Sequence, residues 1–293
     1  MKKIFYLILA AVTIVLAACG GEGVNPPENP DNGNNNEPAS VNNKFASKPF
    51  SIGDNKVVYF SQGNLQYRAS TNTWQFAQNQ YDTIGAANAN ISATYGGWID
   101  LFGWGTSGFN DKYPYMTSTT PTDYGDGVNN IAGTNYDWGV YNAINNGGNS
   151  KGQWRTLTKD EWVYLFDTRT NASQLRGQAT VNGVHGYILL PDNSKIPEVI
   201  PFTASPNDWT TNTYDAVTWG IMESNGAVFL PAAGYRAGMN VQGVGSHGYY
   251  WSSASYYNAE QACVVNIQQG GANPYFWNNR DRGRAVRLVQ DVQ

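Results

Sequence analysis

The sequence predicts an α+β domain of low regularity, made of short strands, two or three short helices and long loops. Three observations carry that expectation. Short runs in which β-branched and aromatic residues alternate with polar ones recur along the chain, the period of half-buried strands. One strong helix start stands among them: Thr158 with Glu161 three residues on, ahead of an apolar stripe of Trp162, Leu165 and Phe166. Stretches rich in Gly, Asn and Pro separate the runs and read as loops. The composition agrees, since 14% of the 293 residues are charged and 14% aromatic, with 32 glycines. That mix suits a loop-rich globular protein with an aromatic core and excludes wholesale disorder. A formal net charge of −4, with no basic stripe, gives no footprint for nucleic acid.

The first segment is read as processing signal rather than fold. Met1-Lys2-Lys3 is a positive start and Ile4 to Leu16 an apolar run too short for a membrane span. Residues 1–18 are therefore expected to be a signal peptide. Leu16-Ala17-Ala18-Cys19 resembles a bacterial lipobox, which implies cleavage before Cys19 and lipidation of its sulfur. Residues 19–47 hold Gly, Asn, Pro and Glu with few apolar residues, a composition for a flexible tether. The expected location is extracytoplasmic, on a lipid anchor at the outer membrane, with display on the cell surface left open.

One domain is expected over residues 48–291. Lys56–Phe60, Asn64–Tyr67 and Thr73–Phe76 read as strands of a meander, with Ser61-Gln62-Gly63 and Ser70-Thr71-Asn72 as its turns. The Trp- and Gly-rich stretch up to Gly105 reads as irregular backbone pinned by large rings, and residues 106–134 as a long loop. Trp138 to Asn145 reads as a short helix closed by Asn146-Gly147-Gly148. Residues 179–191 form a hairpin pattern around Asn182-Gly183, with Tyr187 to Leu190 as a buried strand. A polar, Pro-broken loop over residues 192–213 leads to a helix over Ala216–Asn225, then a core strand broken at Pro231. The closing segment, residues 248–289, is expected to be a strand at each end with long loops between.

That segment is the candidate binding surface. Tyr and Trp give large contact area at low entropy cost, and amide side chains add adaptable hydrogen bonds. The residues singled out are Tyr249, Tyr256, Tyr257, Asn258, Asn266, Gln268, Asn273, Tyr275, Phe276, Trp277, Asn278 and Asp281. Trp98, Trp104, Trp138, Trp154, Trp162 and Trp251 are assigned to the core, and Arg287 to a structural role. Catalytic chemistry finds little support. His185 and His247 are the only histidines and have no metal-ligand spacing, and no Gly-x-Ser-x-Gly marks a nucleophile. Cys263 sits in an apolar strand-like run and reads as a small buried hydrophobe. No cofactor is expected. Calcium has a partial foothold in Trp277-Asn278-Asn279 and Asp281, short of the several convergent oxygens a hard cation needs.

Four stretches together resemble a known family: Trp154 to Phe166, Gly226 to Arg236, Tyr250 to Ser255 and Gly283 to Val289. They are similar to the C-type-lectin-like fold of the formylglycine-generating-enzyme (sulfatase-modifying-factor) type, in the branch that includes many Bacteroidetes lipoproteins. The closing segment also resembles the variable proteins of diversity-generating retroelements. The resemblance implies a receptor- or adhesin-like protein whose C-terminal segment meets a protein or glycan ligand. Formylglycine-generating enzymes use paired cysteines for copper-dependent oxidation, and the expected mature domain has Cys263 alone. An enzyme of that type is thus the weaker alternative, beside a structural subunit of a surface or envelope assembly.

Overall fold

The computed structural model describes residues 48–292. The expected signal peptide, Cys19 and the whole of the expected tether lie outside the described residues. By its contacts the chain divides into Met1–Ser40 and Val41–Gln293, and the described residues belong to the second unit.

In chain order, β1 (Phe50–Gly53) and β2 (Lys56–Phe60) form a hairpin whose turn uses Asn55 at φ 56°. Asparagine tolerates that left-handed backbone better than most residues. β3 (Leu65–Arg68) and β4 (Thr73–Phe76) form a second hairpin. α1 (Trp138–Tyr141) is a single turn, capped by the Asp137 carboxylate on the backbone of Gly139. β5 (Arg155–Thr156) leads into α2 (Lys159–Val163), where Thr158 and Glu161 form the expected capping box, and α2 widens into a π turn over Tyr164–Thr168. β6 (Arg176–Val181) and β7 (Val184–Leu189) meet at Asn182-Gly183, both at positive φ, as a two-residue hairpin requires. β8 (Thr213–Tyr214), α3 (Ala216–Ser224, capped by Asp215) and β9 (Val228–Pro231) follow. β10 (Tyr235–Ala237), β11 (Asn240–Gln242), β12 (His247–Ser255), β13 (Gln261–Gln268), β14 (Gly271–Asn279) and β15 (Leu288–Asp291) complete the chain.

The fold is α+β. Three sheets have the orders β1-β2-β15-β5, β8-β6-β7-β9 and β12-β13-β14, with β3-β4 and β10-β11 as separate hairpins. Strand pairing is antiparallel apart from β6 with β8. The β12-β13-β14 sheet is a wall between two hydrophobic clusters. Tyr250, Val265 and Ile267 pack with Phe60, Trp162 and Phe166 on one face. Trp251, Ala262 and Val264 pack with Trp74, Trp104, Trp138 and Trp154 on the other. The tryptophans assigned to the core are there, except Trp98, which is half-buried beneath the Arg68 guanidinium 4.3 Å from its ring.

Three expectations are corrected. The meander is absent, because β2 pairs with β1 and β15 whereas β3 pairs with β4. Ser61-Gln62-Gly63 carries the chain from one sheet to the next, with Gln62 Nε2 donating to the Ala77 carbonyl at 3.0 Å. The helix from Trp138 stops at Tyr141, because Asn142 is extended and its amide donates back to the Trp138 carbonyl at 3.1 Å. The middle of residues 248–289 is strand rather than loop, and within Gly283–Val289 continuous pairing begins only at Leu288. Gly283, Arg284 and Ala285 make isolated bridges to Arg236, Phe102 and Tyr250 instead.

The loop between β4 and α1 is held by a buried polar knot. Asp100 is fully buried and accepts from Asn88 Nδ2 (2.7 Å) and the Ile84 backbone (3.0 Å), while Asn88 Oδ1 accepts from the Asp100 backbone (2.9 Å). Burial pushes the Asp100 carboxyl up to about 6 and these hydrogen bonds only partly restrain it. The folded protein therefore holds a proton there, between about pH 4 and 6, that the unfolded chain has lost. Its stabilising contribution is complete below about pH 4 and is lost as pH rises through 6. The stability of the wild type relative to Asp100→Asn should grow by about 2–3 kcal/mol from pH 7.5 to pH 4, measured by urea unfolding at both.

Candidate ligand-binding face

The register of the β12-β13-β14 sheet decides where each predicted residue sits. Tyr249 pairs with Asn266, which pairs with Asn273, so these share one face. Trp251, Val264 and Phe276 form the next row on that face, and Asn278 lies opposite Ala262. An extra residue on β14 between Asn273 and Phe276 shifts the alternation there. Tyr275 and Trp277 fall on the opposite face: Trp277 pairs with Cys263 and lies 5.9 Å from Lys159 Nζ on α2, and Tyr275 stands near Asp167 and Arg176. The sheet thus divides the predicted set between its two sides.

Around Tyr249 the side chains are closely packed. The Arg284 guanidinium lies 3.8 Å from the Tyr249 ring centre and 4.7 Å from that of Tyr235. His247 stacks on Tyr249 at 6.1 Å with an interplanar angle of 6°. Phe276 approaches at 6.4 Å. Arg284 is buried, and its Nε and Nη1 have no hydrogen-bond partner. Nearby, Asp281 is buried with Oδ1 unpartnered, burial pushes its carboxyl up, and Arg282, Arg284 and Arg236 pull it back. Asn266 is buried as well, its Oδ1 unpartnered. This group is the inner wall of the sheet.

The second group is open to solvent. Tyr257, in the turn between β12 and β13, is 78% exposed, and Tyr275 is 48% exposed. Tyr257 packs on Tyr256 at 4.2 Å, and Tyr256 on Trp277 at 4.7 Å. Three rings thereby form a platform beside Lys159. Several amides shape the backbone around it: Asn258 Oδ1 caps the turn by accepting from the Glu260 backbone (3.0 Å), and Asn273 Oδ1 accepts from the Tyr275 backbone (2.8 Å). Gln268 is exposed and, with Asn266 and Asn273, lines a cleft of about 390 Å³ at the β13–β14 hairpin tip. Gly270 and Gly271 make that tip at positive φ, where a side chain would be strained.

Catalytic alternatives gain no support from placement. Cys263 is buried, its Sγ donates to the Pro274 carbonyl at 3.5 Å, and burial pushes the thiol up to about 11. A thiol so protonated is a poor nucleophile. His185 Nδ1 lies 2.8 Å from the Gly245 carbonyl, with its ring stacked on Trp209. Among the described residues no group of three or more His, Cys, Asp or Glu could hold a metal ion.

Tyr235, His247, Arg284 and Lys159 join the predicted residues without having been singled out as ligand-facing. His247 stands two residues before Tyr249 on β12, so strand alternation puts it on the same face, whereas Tyr235 and Lys159 are brought there by the packing of β10 on β12 and of α2 on β14, and Arg284 by its bridge to Phe102. Comparison with known proteins gives one family match: residues 205–289 fit the model of a domain of unknown function, DUF8237. No curated protein and no solved structure matches the chain. The matched stretch runs from the loop before α3 through the whole β12-β13-β14 sheet and its rings.

Proposed function

We propose that this is a non-catalytic, lipid-anchored binding protein of C-type-lectin-like fold, which recognises a protein or glycan ligand through the ring platform of its C-terminal sheet. The exposure of Tyr257, 78% at the end of a packed row of three rings, carries this reading. Leaving a large ring in water forgoes about 1.5–3 kcal/mol of burial, and platforms of Tyr and Trp flanked by amides are how paratope-like surfaces win contact area. The Cys19 lipid and the tether hold the platform away from the bilayer. Rewriting of exposed positions such as Tyr257 and Tyr275 by a retroelement would alter the ligand without disturbing the core.

The test is Tyr257→Ala on an array of bacterial and host glycans and, in parallel, in a screen of purified cell-surface proteins. Binding to whichever probe the wild type retains should weaken about tenfold or more, as at a hot-spot aromatic. The melting temperature should move by less than about 2 °C, as for an exposed position. Unchanged binding, or a loss of stability matching the loss of binding, would remove the platform from recognition.

A further inference from the structure

A second candidate site lies apart from the β12-β13-β14 sheet, none of whose residues line it. Two adjoining cavities form a groove between the tip of the β6–β7 hairpin and the chain that follows β4. The first, of about 510 Å³, has Tyr81, Asp82, Trp98 and Asn182 among its walls. The second, of about 310 Å³, includes His185, and the two share Thr83 and Val184. Both volumes fall within the range of small-molecule sites. Local structure holds the walls in place. Just before Tyr81, Gln80 Nε2 donates to the Ala227 carbonyl at 3.0 Å and its Oε1 accepts from the Phe229 backbone at 2.7 Å. Ile99 exchanges backbone hydrogen bonds of 2.9 Å with Tyr67 and is buried, so alternation turns the preceding Trp98 to the other side. The Asn182 backbone donates to the Tyr214 carbonyl at 2.8 Å, which fixes the hairpin tip.

The polar groups left over in these walls are open to solvent. Trp98 Nε1, Thr83 Oγ1 and the Asn182 side-chain amide have no hydrogen-bond partner among the described residues, and none of them is enclosed. Asp82 accepts from Asn79, at 2.8 Å from its backbone, and keeps lone pairs to spare. His185 Nδ1 faces the Gly245 carbonyl, which can only accept, so the neutral ring carries its proton there and leaves Nε2 as an acceptor. Donors and acceptors are therefore mixed along the groove, beside one large ring. The Arg68 guanidinium, 4.3 Å from that ring, steadies Trp98. Neither lysine nor arginine lines the two cavities, and Asp82 is their one carboxylate.

We propose that this groove binds a neutral oligosaccharide, one sugar ring lying against Trp98 and the next continuing past Thr83 towards His185. Sugar hydroxyls both donate and accept, as the open groups of these walls require. A pyranose ring also presents a face of C–H groups to an indole, whose ring face is electron-rich. One sugar would fill one of the two cavities, whereas a chain occupies both. Asp82, with no wall cation to offset it, repels acidic sugars and leaves uncharged ones. The site is independent of the ring platform.

Isothermal titration of the purified protein at neutral pH tests it. The probes are cellohexaose, xylohexaose, mannohexaose and maltohexaose, with their monosaccharides and hexagalacturonate as comparators. At least one neutral hexasaccharide should bind saturably, about tenfold or more tighter than its monosaccharide, and hexagalacturonate should bind more weakly than it. Trp98→Ala should lower that affinity about tenfold or more, as at a hot-spot aromatic. Thr83→Val keeps the shape of the side chain, removes a hydroxyl that bonds nothing in the protein, and should lower affinity about fivefold. Its melting temperature should stay within about 2 °C of the wild type. Tyr257→Ala should leave sugar affinity unchanged; a loss there with none in Trp98→Ala would move the sugar to the platform and overturn this site. Hexasaccharides binding no tighter than their monosaccharides, hexagalacturonate binding as tightly, or indifference to both Trp98→Ala and Thr83→Val would each overturn the assignment as well.

Discussion

Trp104→Ala should cost about 3–5 kcal/mol of stability, the range for truncating a large buried aromatic, and lower the thermal midpoint by about 10 °C. The ring is fully buried in the cluster that backs the β12-β13-β14 sheet. Its Nε1 donates to the Ser252 carbonyl at 2.8 Å, so the indole ties the loop at residues 102–106 to β12. The Arg280 guanidinium lies 4.3 Å from the ring centre, and Arg280 is itself fully buried. Truncation opens a void and strips that cation of its aromatic neighbour, so two costs add. The void also cannot collapse easily, because Gly125 already sits so close that a Cβ there would lie 2.4 Å from the ring. Circular dichroism melts of Trp104→Ala and Trp104→Phe measure this. The phenylalanine variant should recover about half the loss, since it restores the ring but not the indole donor. Set beside the near-silent Tyr257→Ala, the pair separates rings that hold the fold from rings that face outward.

Arg287→Ala is expected to be as damaging, about 3–5 kcal/mol, the cost of dismantling a buried, hydrogen-bonded charge site. Arg287 is fully buried and reaches two elements at once, Nη1 donating to the Ser61 carbonyl at 3.2 Å and Nη2 to the Phe229 carbonyl. Ser61 follows β2 and Phe229 lies in β9, so one guanidinium joins the sheet containing β15 to the sheet containing β7. Burial pulls its pKa down to about 10, which still leaves it charged at neutral pH. Alanine would leave both carbonyls short of a donor. Arg287→Lys should recover only part of the loss, because an ammonium lacks the planar fork that spans two carbonyls. Urea unfolding at pH 7.5 should show midpoints in the order wild type, lysine, alanine.

What could be read from the sequence was what short-range chemistry decides. The Thr158–Glu161 capping box, the Asn182-Gly183 hairpin and the helix over Ala216–Ser224 each rest on a few neighbouring residues and stand where expected. The burial of Trp251 and Cys263 was legible from apolar neighbours. Beyond the apolar strand-like run around Cys263, the β13 and β14 strands were not. Their Asn, Gln, Gly and Pro content speaks for loop, and pairing with adjacent strands on both sides of β13 overrides it. The same blindness merged the ring residues into one patch. Which face a strand residue takes depends on register and on the extra residue in β14, and neither is written locally. The meander failed for the related reason that β2 takes its second partner from the far end of the domain.

That last pairing has a temporal consequence. β15 hydrogen-bonds between β2 and β5, so these two strands wait for a partner that follows both of them far along the chain. Until residues 288–291 dock, β2 keeps an unpaired edge on an otherwise assembled hairpin. Exposed edges of that kind invite wrong partners and proteases. The refolding domain should therefore stay protease-sensitive until residues 288–291 dock and become resistant in a single late step, a slow one given how far apart in the chain the closing contacts lie.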